Sequence, residues 1–184
     1  MIWIAILAGL CAVMMVAECA GMPTTLQLTM KGDVKRETRF LAQYGQLVCT
    51  FCTALLIWQL DTTRGLQICK ALWCAVIGGT LVATVSKRLL GRVRPGREPA
   101  RRFLGPTFKH ANFRESFPSS HSASAVAFAV VLASAYPQGA VTFWALALIC
   151  AGLRYLMDAH WPSDVLGGIA LGYLAGIISW RQFF

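Results

Sequence analysis

Apolar residues in this chain come in long runs, and polar residues collect where the runs stop. Six runs stand out, at roughly 2–20, 41–60, 66–90, 119–136, 139–157 and 163–181. Each is near the ~20 residues a helix needs to cross a bilayer. The pattern predicts an all-α integral membrane bundle of about six transmembrane helices, built as a single domain over 1–184. Links after the second, fourth and fifth runs are short, which predicts antiparallel hairpins between those neighbours. Two links are longer. The first, 21–40, contains "LQLTMKGDVKRETRF", an interfacial segment able to lie along the membrane as an amphipathic helix. The second, 91–118, is rich in Arg, Gly and Pro, which is loop chemistry. The last run, "DVLGGIALGYLAGIISW", sets Gly168, Gly172 and Gly176 four apart on one face, a surface for close helix packing.

Composition agrees with the pattern. Of 184 residues, 57% are hydrophobic and only 14% charged, against roughly half and about a quarter in a soluble domain. The opening "MIWIAILAGLCAVMMVAECAG" ends in small residues as a signal peptide does, but it lacks a basic start and further runs follow. It reads as a retained first span. The seven cysteines lie in or beside apolar runs, and an odd count there is no disulfide framework. Cys49 and Cys52 form a CxxC inside "LVCTFCTALLIW", where they read as small core residues rather than a redox pair.

The formal net charge of +9 changes the picture further. Its basic residues fall between apolar runs rather than along a soluble face. That distribution fits lipid head groups or a phosphorylated substrate, and no nucleic acid is expected. Alternating crossings also bring the end of the third run, the 91–118 loop, the start of the fourth run and the link between the last two onto one face. Three polar clusters therefore meet: "KRLLGRVRP" with Lys87 and Arg94, "PSSH" at 118–121, and "RYLMDAHWPSD" with Arg154, His160 and Asp164.

Singly, each has a plain structural role. Lys87 or Arg94 can snorkel to the interface, Ser119 can cap a helix, and a His four residues before an Asp can be a structural contact. Together they form a coherent chemistry. Lys87, Arg94 and Arg154 can neutralise phosphoryl oxygens, and a helix start beside Ser119 offers free N–H groups to an anion. Of His121 and His160, one can attack phosphorus while the other protonates the departing oxygen. Asp164 can hold the attacking imidazole in the required tautomer. His110 matches no motif position and reads as a solvated loop residue, while Arg97, Arg101, Arg102, Lys109 and Arg114 can gather an anionic head group or lie at the lipid surface.

The order Lys-x6-Arg-Pro, Pro-Ser-x-His, Arg-x5-His-x3-Asp resembles the type 2 phosphatidic acid phosphatase family, whose phosphate pocket is similar to that of the vanadium-dependent haloperoxidases. The motifs cover 87–164. The resemblance implies a membrane lipid phosphatase acting on a phosphate monoester or diphosphate through a phosphohistidine. It implies His160 as nucleophile, Asp164 as its orienting acid and His121 as general acid and later base. Lys87, Arg94, Ser119, Ser120, Arg154 and the backbone at Ser120 and His121 would bind the phosphoryl group. It implies no metal and no cofactor. Two positions depart from the family pattern: Ser120 stands where glycine is usual, and Leu153 where serine is usual. Neither removes a group the chemistry requires.

Alternatives with the same pocket are a lipid phosphotransferase, a haloperoxidase and a non-catalytic lipid-phosphate binder. Of the seventeen Lys and Arg, all but Arg64, Lys70 and Arg181 lie on the motif face. The positive-inside rule would put that face in the cytoplasm. The family resemblance instead implies a plasma (inner) membrane protein with its site on the extracytoplasmic face. Oligomeric state is not encoded in any of these features.

Overall fold

The computed structural model describes residues 2–26, 28, 31–157 and 160–184. Parts of the interfacial segment and of the third polar cluster, at 27, 29, 30, 158 and 159, lie outside them. Among the described residues seven α-helices follow one another: α1 (Ile2–Cys19), α2 (Gly32–Leu41), α3 (Leu47–Leu60), α4 (Gly65–Leu90), α5 (Ser120–Ala135), α6 (Ala140–Leu156) and α7 (Pro162–Phe183). Among the described residues four helical stretches are long and apolar enough to cross a membrane: Ile2–Cys19, Gly65–Leu90, Pro137–Leu156 and Pro162–Phe183. The remaining apolar helices, α3 and α5, have 14 and 16 residues. The predicted second span, 41–60, is thus shorter than its apolar run. Leu41 still belongs to the exposed, polar α2, and Gly45 in a left-handed turn (φ +71) separates it from α3.

The bundle is organised around α5. Every residue from Ser122 to Leu132 is buried, although the helix has no single apolar stripe. A helix that is apolar all round belongs at the centre of a bundle, and the alanines let its neighbours come close. Near its middle, Phe128 meets Tyr44 edge to face at 5.1 Å. The outer surfaces of α1 and α3 are apolar and open, with Val16 and Leu60 well exposed, as lipid-facing helices require. All seven cysteines are free thiols.

The glycine face of α7 seats against α5. A β-carbon at Gly172 would collide with the Ala123 carbonyl oxygen, and one at Gly176 would sit 2.6 Å from Cβ of Val130. One expectation is corrected here. The link between α6 and α7 is short, yet α7 packs on α5, α4 and α1 rather than pairing closely with α6. Its small residues allow near backbone contact with α5, whereas α6 and α7 meet through bulky side chains such as Trp144 and Tyr173, 6.2 Å apart.

Candidate active site

The polar end of the bundle starts where α4 stops. Gly91 closes α4 with a left-handed residue (φ +62), its N–H donating to the Lys87 carbonyl at 2.9 Å. A side chain at Gly91 would strike the Arg114 guanidinium and the Gly105 carbonyl, so glycine is required twice over. The next three residues are stitched on both sides. Val93 N–H donates to the Arg102 carbonyl (2.9 Å), Arg94 N–H to Phe113 (2.8 Å) and Ser116 N–H to Arg92 (3.0 Å). An arginine- and glycine-rich loop is thereby fixed enough to aim Arg94 at the site.

Lys87, in the last turn of α4, is buried, and its Nζ donates to Ser120 Oγ at 2.9 Å. Arg94 donates to the Glu115 carbonyl at 3.3 Å. Burial pulls the Arg94 guanidinium below its ordinary value, because a charge taken from water is disfavoured. Arg154, in the last turn of α6, completes the trio. Among the described residues its Nε is buried without a hydrogen-bond partner. Nearby, Tyr155 Oη donates to the Thr24 carbonyl at 2.8 Å, binding the 21–40 link to this end of α6.

Ser119 is fully buried and caps α5. Its hydroxyl accepts from Ser122 Oγ (2.9 Å) and Ser122 N (3.4 Å), and its own N–H donates to the Asp164 carbonyl at 2.9 Å. Capping by Ser119 leaves the N–H groups of Ser120 and His121 without acceptors inside the helix. The Ser119 carbonyl lies against Gly168, where any β-carbon would meet it. The glycine face that packs α7 on α5 therefore also sets the position of the capped helix start.

His121 lies within electrostatic reach of Arg154, His160, Lys87 and Arg94. His160, just before α7, is 1% exposed. Its Nδ1 is 3.6 Å from Asp164 Oδ2, an ion-pair separation slightly beyond a hydrogen bond. Burial lowers the His160 imidazolium to about 4, with the Asp164 carboxylate opposing and Arg94 and Lys87 adding to the shift. The imidazole is therefore neutral near pH 7 and keeps a free lone pair.

Asp164 is more than a partner for His160. Its Oδ2 accepts the Trp161 N–H at 2.9 Å, reaching back to the helix cap, and the hydroxyl of Ser116. Its Oδ1 accepts from Arg92 Nη1 at 2.5 Å. Arg92 in turn binds Ser163 Oγ (2.6 Å) and Glu18 Oε2 (2.6 Å), with Glu18, Arg92, Asp164 and Ser163 all fully buried. Sequence reasoning missed Arg92, Glu18, Ser116 and Ser163. One signal was present: Glu18 is the sole charged residue of the first apolar run, and a charge at membrane depth marks a buried partner.

A helical membrane bundle that gathers two histidines, a buried carboxylate and three cations at one end of its helices is a narrow class. The PAP2 superfamily model matches residues 67–184, and the chain belongs to that family. A lipid A 1-phosphatase from Rhizobium etli is 38% identical over 103 residues, covering 55% of this chain and 44% of that protein. The match thus spans under half the length of that relative. A decaprenylphosphoryl-5-phosphoribose phosphatase from Mycobacterium tuberculosis is 32% identical over 146 residues, covering 76% of this chain and 75% of its own. The fold is shared with the crystal structure of Aquifex aeolicus LpxE, at TM-score 0.66 and 21% identity over 83% of this chain and 88% of that one. It is also shared with the PAP2-type phosphatidylglycerolphosphate phosphatase from Bacillus subtilis, at TM-score 0.64 and 19% identity over 98% and 92% of the two chains.

Proposed function

We propose that the whole chain is one membrane-embedded phosphatase domain that hydrolyses a lipid phosphate monoester or diphosphate through a phosphohistidine, without a metal. The observation that carries this reading is a buried His160 beside Asp164, within electrostatic reach of Lys87 and Arg94. Lys87, Arg94, Arg154, Ser119, Ser120 and the first N–H groups of α5 hold the phosphoryl oxygens, and Ser119 also sets the helix start that presents those groups. Nε2 of His160 bonds to phosphorus as the bond from phosphorus to the lipid-side oxygen breaks. That oxygen leaves with a proton from His121. His121 must carry a proton for this step, and the negative charge of the arriving phosphoryl group favours its doing so. In the second half His121 takes a proton from water, the water oxygen bonds to phosphorus, and the phosphorus–nitrogen bond breaks. Inorganic phosphate departs and His160 is again neutral.

Three fixed cations stabilise the charge that develops on the transferred group, as arginine, lysine or metal clamps do in other phosphoryl transfers. The relatives point to a lipid substrate: one is named for lipid A and another for a decaprenyl-linked phosphoribose. The site is assigned to the extracytoplasmic face of a plasma membrane, against the direction of the positive-inside count and in keeping with the family resemblance.

The test is phosphate release by purified protein in detergent with EDTA present, over a panel of lipid mono- and diphosphates. Wild type is expected to release phosphate and His160→Ala to release none. Release that persists in the variant rules out the phosphohistidine. Release that disappears with EDTA rules out a metal-independent reaction. On sealed right-side-out vesicles given a short-chain soluble substrate, external turnover is expected, and turnover only after permeabilisation overturns the side.

A further inference from the structure

The buried cluster behind Asp164 joins the least conspicuous helix of the bundle to its most reactive residue. Glu18, near the end of α1, lies outside the stretch that matches the family model. Its Oε2 accepts from Arg92 Nη2 at 2.6 Å and from the Ser163 hydroxyl, and its Oε1 accepts the Ser163 N–H at 3.0 Å. On its other side Arg92 reaches Asp164 Oδ1 at 2.5 Å. The guanidinium is packed over the rings of Phe103 and Trp161, at 5.3 and 5.7 Å. Cys11 of α1 completes the wall, donating to the Ser163 carbonyl at 3.2 Å.

Charge decides what this arrangement does. Arg92 and Asp164 alone would form a neutral buried pair, and the carboxylate would face His160 with its charge largely cancelled. A second carboxylate on the far side of the guanidinium leaves the cluster with one net negative charge. Buried charges interact strongly because little water screens them, so that excess is felt at the neighbouring imidazole. His160 needs it: when Nε2 gives its lone pair to phosphorus, the ring becomes cationic. We propose that Glu18 is a positioning residue for the reaction, balancing Arg92 so that Asp164 keeps a net negative charge for His160 while the guanidinium fixes its orientation. This rests on the phosphohistidine reading above.

The groups facing His160 are Asp164 of α7, Lys87 of α4, His121 of α5 and Arg94 of the loop, with Arg92 and Glu18 behind Asp164. The proposal makes opposite predictions for the two buried partners, which a merely structural role would not. Glu18→Gln removes a negative charge and lowers the His160 midpoint. Arg92→Gln removes a positive charge and raises it. The double variant restores the charge balance and returns close to wild type. Each single shift is expected on the order of half to one pH unit.

The measurement is an NMR titration of the His160 imidazole, assigned by its loss in His160→Ala, on full-length protein in detergent. Beside it stand kcat and KM for phosphate release. Glu18→Gln is expected to lower kcat about tenfold with little change in KM, since the lost stabilisation belongs to the reacting state. Shifts of the same sign in both single variants, or none, overturn the proposal. So does an unchanged kcat in folded Glu18→Gln. If that variant does not fold, Arg92→Gln decides, and a midpoint that stays or falls overturns the proposal. If wild type releases no phosphate while the titrations move oppositely, the phosphatase reading fails and the charge balance stands.

Discussion

Two histidines in this molecule sit beside a carboxylate, and they differ in everything except that. His110 approaches Glu115 Oε1 at 2.8 Å and is 68% exposed at the surface of the 91–118 loop. His160 stands 3.6 Å from Asp164 and is 1% exposed. By distance alone the loop pair is the better bonded. Glu115 is also held by Arg88 at 3.2 Å and the Ala111 N–H at 3.2 Å. Burial alone would raise its carboxyl, but these contacts hold it below the usual range. A well-paired histidine in water is a loop fastener, because solvent already satisfies either protonation state. A buried histidine among cations keeps its lone pair and has few other partners, which is the state a nucleophile requires.

Exchanging the two carboxylates for amides breaks this comparison most sharply. Asp164→Asn is expected to lower kcat by about three to four orders of magnitude, the scale of losing the tautomer-setting acid in a catalytic triad. Glu115→Gln should cost far less. Initial rates on the preferred lipid phosphate measure both, and similar losses would show that the loop pair takes part in the chemistry.

The next effect is on stability. His160 sits near 4 in the folded protein against an ordinary 6.5. Below about 6.5 the unfolded chain takes up a proton that the folded one refuses until about 4. Stability should therefore fall as pH drops through that window and be unaffected by His160 above it. Thermal midpoints in detergent between pH 7 and 4.5 should decline more steeply for wild type than for His160→Asn. Equal slopes would mean that His160 is not held neutral by burial.

The smallest effect belongs to His110→Ala. Glu115 keeps Arg88 and the Ala111 N–H, and the His110 end of the pair is open to solvent, so kcat is expected within about threefold of wild type. A loss beyond tenfold would place His110 in the path from the loop to Arg94, whose guanidinium touches the Glu115 carbonyl.

The class of this protein and the polar residues gathered at one end of its bundle were legible from the chain alone, for a physical reason. Membrane helices announce themselves by local composition, since each must satisfy its own backbone in lipid. The motif residues also stand at short, regular spacings, as with His160 and Asp164 four apart. Even the Ser119 cap and the glycine face of α7 are local patterns. What decided the rest was contact between segments far apart in sequence. Arg92 meets Glu18 across 74 residues and Asp164 across 72. No local periodicity encodes such a pairing, so Arg92 looked like one more loop base and Glu18 like a stray acid in an apolar run. Tertiary packing alone put α7 on α5 instead of α6 and excluded water from the carboxylate cluster. That exclusion turns a few ordinary charges into a field strong enough to matter at His160.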